Sequence, residues 1–168
     1  ITLRAEDEAQ SLTLVFDGKS EEKVSEFSLS LLTIDSEHLG IPDQDYNSTV
    51  TMSSTEFARI CRELTQITDT LNIETDKESV RFSVSGDIGA GAITLRKNDS
   101  EKGEERTHLN VTENVNMSYA LRYLNLFNKA SNLGDTVVLQ MSPDIPIVVQ
   151  YSFEFGDIKY FLAPKISD

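Results

Sequence analysis

Arg59 and Arg62 stand three residues apart in a run with helical spacing. Arg122 and Lys129 stand seven apart in a second run, with Asn125 between them. Cationic side chains at these intervals share one face of a helix. Such a face meets phosphates through salt-sensitive contacts that carry no base information. At about 100° per residue, Phe57, Ile60, Cys61, Leu64 and Ile67 fall on the opposite side of the first run, and Ala120, Leu121, Leu124 and Phe127 do so in the second. Thr55 and Gln66 join the outward set, and only Glu63 borders it. The chain has 168 residues, with 15 Lys and Arg against 28 Asp and Glu, a formal charge of -13. Against that background the segregation of cations onto two stripes points to a local polyanion-binding surface. The same stripes also fit ordinary solvated positions whose charges pair with acids elsewhere.

Other chemistries find little to work with. Cys61 is the only cysteine, and the two histidines, His38 and His108, are far apart, so neither a disulfide nor a thiolate metal site is expected within the chain. Gly-x-Ser-x-Gly and paired metal-spaced histidines are absent. The expectation is therefore no enzyme, no cofactor and no metal, with an unrecognised carboxylate site as the enzymatic alternative. Residues 86–91, Gly-Asp-Ile-Gly-Ala-Gly, look like a phosphate cradle but run from strand to strand without a helix N-terminus behind them, which predicts a turn. Neither helix carries the base-reading set of a groove-inserted recognition helix. Residues 1–7 show neither a basic start nor an apolar run, and no window approaches the ~18 apolar residues of a membrane span. The four sequons at Asn47, Asn98, Asn110 and Asn116 are read as chance occurrences in an Asn-, Ser- and Thr-rich chain of a reducing compartment.

The elements that must position the stripes follow from period-two runs and punctuation. Strands are predicted at 1–4, 12–16, 24–32, 48–52, 71–75, 79–85, 91–96, 107–111, 136–141, 147–153 and 158–163. A capping box, Ser53-Ser54-Thr55-Glu56, opens a helix running to about residue 67, and a second helix is predicted at 118–131. The order β-α-β-β-β thus occurs twice, an α+β pattern. Residues 98–106, rich in Glu and Lys, read as a solvated loop. Residues 33–46 read as an acidic connector that nevertheless offers Leu39 and Ile41 beside Pro42, and the closing strand is apolar on both faces up to Pro164. These two segments predict both one shallow groove for a partner peptide and a staple of the connector onto its own domain. Strands 24–30 and 92–97 read as an acidic and a basic edge able to pair between subunits.

A longer repeat also emerges. Residues 1–4 match 137–140, residues 12–16 match 147–151, and the strand around Phe27 to Leu31 matches the one around Lys159 to Leu162. With an Ile at position 1, this predicts that the first strands close a domain whose earlier part, the counterpart of 46–136 and roughly 90 residues, is missing.

Leu39-Gly40-Ile41-Pro42 in the connector, Glu56-Phe57-Ala58-Arg59-Ile60-Cys61-Arg62, Ala120-Leu121-Arg122-Tyr123-Leu124-Asn125 and Leu162-Ala163-Pro164-Lys165-Ile166 closely resemble the eukaryotic proliferating cell nuclear antigen family, the sliding clamps of DNA replication. The resemblance runs along essentially the whole chain. It implies the DNA-clamp fold, with helices on an inner face and antiparallel sheets outside. It divides the chain into the end of a truncated first domain (1–32), an interdomain connector (33–46) and a complete second domain (47–168). It implies a nuclear homotrimer that encircles duplex DNA, serves as processivity factor for replicative polymerases and docks repair and translesion proteins. Arg59, Arg62, Lys77, Arg81, Arg122 and Lys129 correspond to DNA-facing positions, and Lys77 also to the family's ubiquitylated lysine. Leu39, Ile41, Pro42, Pro146, Leu162, Ala163 and Pro164 correspond to the site for a Gln-containing partner peptide. Lys23, Phe27, Ile93 and Leu95 lie on the strands that pair between subunits. The rival reading is a peptide-binding module with no DNA role.

Overall fold

The computed structural model describes residues 1–18, 23–32, 44–98 and 106–165. They fall into two compact units, Ile1–Asp43 and Gln44–Asp168. The first holds an antiparallel meander of β1 (Thr2–Arg4), β2 (Ser11–Asp17) and β3 (Val24–Ser30), in that order. Alternation puts Leu12, Leu14 and Phe16 on one face of β2. The pairs Leu3↔Leu14, Leu14↔Phe27 and Leu12↔Leu29 carry that face across the sheet. Phe16 and Phe27 meet edge to face at 5.8 Å.

The second unit contains β4 (Ser48–Ser53), α1 (Ser54–Leu64), β5 (Thr70–Thr75), β6 (Ser79–Gly86), β7 (Gly89–Arg96), β8 (His108–Val111), β9 (Val115–Ala120) and α2 (Leu121–Phe127). A 3-10 helix, Asn128–Leu133, continues α2 and leads to β10 (Thr136–Met141), β11 (Ile147–Phe153) and β12 (Gly156–Leu162). A five-stranded sheet runs β12-β11-β10-β4-β8, and a four-stranded sheet runs β7-β6-β5-β9. Every pairing is antiparallel. Each helix leaves one sheet and enters the other: α1 connects β4 to β5, and α2 connects β9 to β10. The strand before one helix pairs with the strand after the other, β4 with β10 and β9 with β5. One core results, in which Phe57, Ile60, Leu64, Phe82, Leu121, Leu124, Leu139 and Tyr151 are buried together. Among the described residues no helix is long and apolar enough to cross a membrane.

The second helix departs from expectation. Residues 118–120 belong to β9, where Leu71↔Tyr119 and Ile73↔Met117 complete the four-stranded sheet. Val115, Met117 and Tyr119 alternate inward, and the helix begins only at Leu121, without a side-chain cap. The strand opening the second repeat is therefore β9, and the expected strand at 107–111 is an additional edge beside β4. The capping box is half formed: Ser53 Oγ accepts from the Glu56 amide at 3.3 Å, while the Glu56 carboxylate turns to Arg59. Residues 86–91 belong to the tight β6–β7 hairpin, with Gly86↔Gly89 paired around Asp87 and Ile88 and Gly89 at φ 148°, a conformation that needs glycine. Gly134 is required sterically, since a Cβ there would lie 2.1 Å from the Ser152 carbonyl oxygen.

The long repeat reappears as matching register. Leu3 pairs Leu14 as Leu139 pairs Val149, Arg4 pairs Thr13 as Gln140 pairs Val148, and Leu12 pairs Leu29 as Ile147 pairs Leu162. Burial differs sharply: Leu139 is 0% exposed, covered by helices on its own unit, whereas Leu3 is 63% exposed. Leu139→Ala is therefore expected to cost about 2–5 kcal/mol of unfolding free energy, and Leu3→Ala to stay within about 0.5 kcal/mol. Urea titration of the two variants checks the contrast.

Candidate nucleic-acid interface

The interface is built on α1, α2 and the 3-10 helix. The α1 start is tied to the end of the other helical segment: the Ser54 hydroxyl lies 2.9 Å from the Ser131 carbonyl and 2.6 Å from that of Gly134, and the Ser54 amide donates to the Asp135 carbonyl at 3.0 Å. Ser54 is fully buried, so these contacts satisfy groups that water cannot reach. Beneath the helices, the Tyr151 hydroxyl donates to Asn128 Oδ1 at 2.7 Å. Burial pushes the nearby Cys61 thiol up to about 12, which makes it a core group rather than a nucleophile.

Above this floor lies a groove of about 440 Å³ lined by Arg59, Arg62 and Lys129, together with Thr55, Asn125 and Asn132. Arg122 sits one turn before Asn125 on the exposed side of α2, its guanidinium 4.7 Å over the Tyr123 ring. The stripes of the two helices thus converge on one surface. Their charges are not equivalent. Arg59 donates from Nε and Nη2 to the two oxygens of Glu56, at 2.9 and 2.6 Å, and from Nη1 to Glu63 at 2.8 Å. The Arg59 guanidinium holds the Glu56 carboxyl below its ordinary value, and the two carboxylates push Arg59 up. Among the described residues no carboxylate pairs with Arg62, Arg122 or Lys129. The solvated, acid-paired reading therefore fits Arg59 and not the other three. Glu56 also lines a larger cleft, about 570 Å³, together with Arg96 and Arg106.

Lys77 and Arg81 do not join this surface. Val80 and Phe82 point into the core, where Phe82 meets Phe57 of α1 at 6.0 Å, so Arg81 between them projects from the far face of its sheet. There it faces Glu74 at 3.9 Å in a polar row with Asn72 and Asn116. Lys77 is exposed in the β5–β6 turn. That turn is held by Asp76, whose Oδ1 accepts from the Glu78 and Ser79 amides, each at 2.7 Å, and these bonds lower its pKa.

Leu39, Ile41 and Pro42 lie outside the described residues. Pro146 immediately precedes Ile147, which pairs with Leu162 of the edge strand β12, so Pro146, Leu162 and Ala163 gather at one corner of the five-stranded sheet. Beyond Pro164, the Lys165 amide donates to the Ser118 carbonyl at 2.7 Å and anchors the tail to β9. Lys23 directly precedes β3, and Phe27 lies exposed on it. Ile93 and Leu95 lie on β7, half-buried against the core. Among the described residues both β3 and β7 are edge strands. Among the described residues no group of three or more His, Cys, Asp or Glu side chains is placed to hold a metal ion. The sequence reading missed Ser54 as the tie between helices and Glu56 as the partner of Arg59. The latter was legible in the i, i+3 and i, i+4 spacing of Glu56, Arg59 and Glu63.

Two family models match the chain: proliferating cell nuclear antigen, C-terminal domain, over residues 40–166, and proliferating cell nuclear antigen, N-terminal domain, over residues 1–38. The α+β architecture of antiparallel sheets with two helices is that of the clamp fold.

The Asp76 turn yields a pH test. Its folded-state pKa is depressed, so its stabilisation is complete above the unfolded value of about 3.9 and is lost as pH falls through the folded value. Amide protection at Glu78 and Ser79, measured by hydrogen exchange against unstructured-peptide rates, should decline over that acid range. Asp76→Ala should lower it several-fold at neutral pH while leaving the circular dichroism unchanged.

Proposed function

Because the chain belongs to the proliferating cell nuclear antigen family of sliding clamps, we propose that it acts in the nucleus as a clamp subunit that encircles duplex DNA and keeps a replicative polymerase engaged. The observation that carries this reading is the convergence of Arg62 and Lys129 on one groove, with Arg122 beside it, in a chain of net charge -13. A closed ring is retained topologically and needs no tight bond to its track. Weak phosphate contacts suffice and permit sliding, while anionic surfaces elsewhere discourage nonspecific sticking. The free edges of β3 and β7 suit strand pairing between subunits of a homotrimer, with Lys23, Phe27, Ile93 and Leu95 at the junction. The matching registers of β1–β3 and β10–β12 support two similar domains in each subunit.

The corner formed by Pro146, Leu162 and Ala163, followed by Pro164, supports binding of the Gln-containing peptide of polymerases and repair proteins, for which the family resemblance also names Leu39, Ile41 and Pro42. Lys77, exposed on its turn, is the acceptor for ubiquitin. It acts there as a modification site on a face separate from the DNA groove.

Replacing Arg62, Arg122 and Lys129 together by Ala is expected to weaken binding to a short DNA duplex and to abolish duplex-dependent polymerase stimulation, with peptide affinity retained. The slope of log affinity against log salt should become shallower by about 0.9 for each phosphate that the variant no longer neutralises. Unchanged DNA binding and slope in a folded variant would refute the groove as the DNA contact, and no measurable duplex binding by the unaltered chain would instead favour a peptide-binding module without a DNA role. Ile41→Ala should weaken peptide binding without altering the mass of the assembly, measured by titration and light scattering.

A further inference from the structure

We propose that Glu56 and Glu63 keep Arg59 in reserve, their carboxylates occupying the guanidinium donors that a DNA phosphate would need. The inference rests on the DNA-facing reading of the groove. A guanidinium offers five N–H donors in a fixed fork and binds carboxylate or phosphate through the same edges. On Arg59, Glu56 takes one edge through Nε and Nη2, and Glu63 takes Nη1. A phosphate reaching Arg59 must displace one of these carboxylates. It also brings its own negative charge up to two others.

The arrangement is specific to this cation. Glu56 and Glu63 stand at i-3 and i+4 of Arg59, the two intervals at which helix side chains meet. The corresponding neighbours of Arg62 are Arg59, Ala58, Thr65 and Gln66, and those of Lys129 are Asn125, Leu126, Asn132 and Leu133. None of these is acidic. The three cations lining the groove therefore divide into two available to phosphate and one already satisfied. Glu56 cannot simply rotate off to serve as the reciprocal helix cap without giving up the bidentate contact, since its carboxylate is engaged with Arg59. Arg59 and Glu63 are about half-exposed and Glu56 is partly exposed, and ion pairs in such settings are weak. The brace therefore yields under a closely approaching phosphate rather than forbidding contact. The result is a groove whose resting grip is set by Arg62 and Lys129, with Arg59 as a contact made transiently. This tuning toward weak binding suits a subunit that must move along DNA.

The test is a double-mutant cycle on the full chain. Its readout is the anisotropy of a fluorescent short DNA duplex over a series of salt concentrations. Glu56→Gln with Glu63→Gln should tighten binding several-fold and steepen the salt slope by about 0.9, the signature of one additional phosphate neutralised. In an Arg59→Gln background the same pair of changes should recover less than half of that gain. Equal gains in both backgrounds would mean that only two negative charges had been removed, and would overturn the proposal, as would no gain at all. Arg62→Ala with Lys129→Ala separates the two levels. If that pair leaves binding unchanged, the DNA reading falls and this inference with it. If the pair weakens binding while the cycle is additive, only the reserve role of Arg59 falls. Should Glu56→Gln loosen the start of α1, Glu63→Gln alone carries the same cycle with a smaller change.

Discussion

Each helix of the second unit begins in one sheet and ends in the other, and that exchange governs everything else about the unit. Because β4 pairs with β10 and β9 with β5, each sheet holds one end of both helices on two adjacent strands. The helices are thereby laid side by side over a shared core, and their apolar faces are buried by the same set of residues. Burial of those faces supplies the driving force, and the contacts of Ser54 with Ser131, Gly134 and Asp135 set how closely the two helical segments lie. A cationic stripe on either helix alone would be a surface feature of no particular consequence. Held next to each other, the stripes line one groove.

The electrostatics of that groove follow from which acids the helices themselves carry. Glu56 and Glu63 lie within reach of Arg59 whatever the rest of the molecule does, because helix geometry alone brings them there. Arg62 and Lys129 have no acid at those intervals. A strongly acidic protein thus keeps a cationic groove through local spacing, without any reversal of overall charge. Strand alternation performs the complementary separation. Arg81 lies between two core residues, so its sheet holds it on the face away from the helices, in a polar row with Glu74. Lys77 is presented on a turn braced by Asp76. Neither Lys77 nor Arg81 consequently lines the groove between the helices.

The two units illustrate what a repeat does and does not carry with it. The meander β1–β3 reproduces the strand register of β10–β12 pair by pair although the connections differ in length, because register follows from the alternation of side chains. Burial does not follow in the same way. Leu139 and Val149 lie beneath helices, while their counterparts Leu3 and Leu14 share a face on which Leu3, Phe27 and Leu29 remain exposed.

Much of this was legible in the residues alone. Period-two alternation located eleven of the strands within a few residues of where they lie, and Ser53 with Glu56 marked the start of α1 because a hydroxyl and a carboxylate three apart suit the unpaired amides there. The cationic stripes and the repeat were likewise visible, since helical and strand periods are local properties. Three things were not. The run 118–120 reads as helix by itself and became strand because β5 offered a partner for Val115–Ala120. The family resemblance groups Arg81 with the DNA-facing cations; that its face of β6 lies away from α1, beside Glu74, was decided by the packing of Phe82 on Phe57 and the pairing of β5 with β6. The meeting of Arg59 and Arg62 with Lys129, some seventy residues on, depends on which sheet each helix enters. Spacing along the chain determines what a single element presents. Only the pairing of distant strands, which short-range periodicity does not encode, decides which presented faces come together.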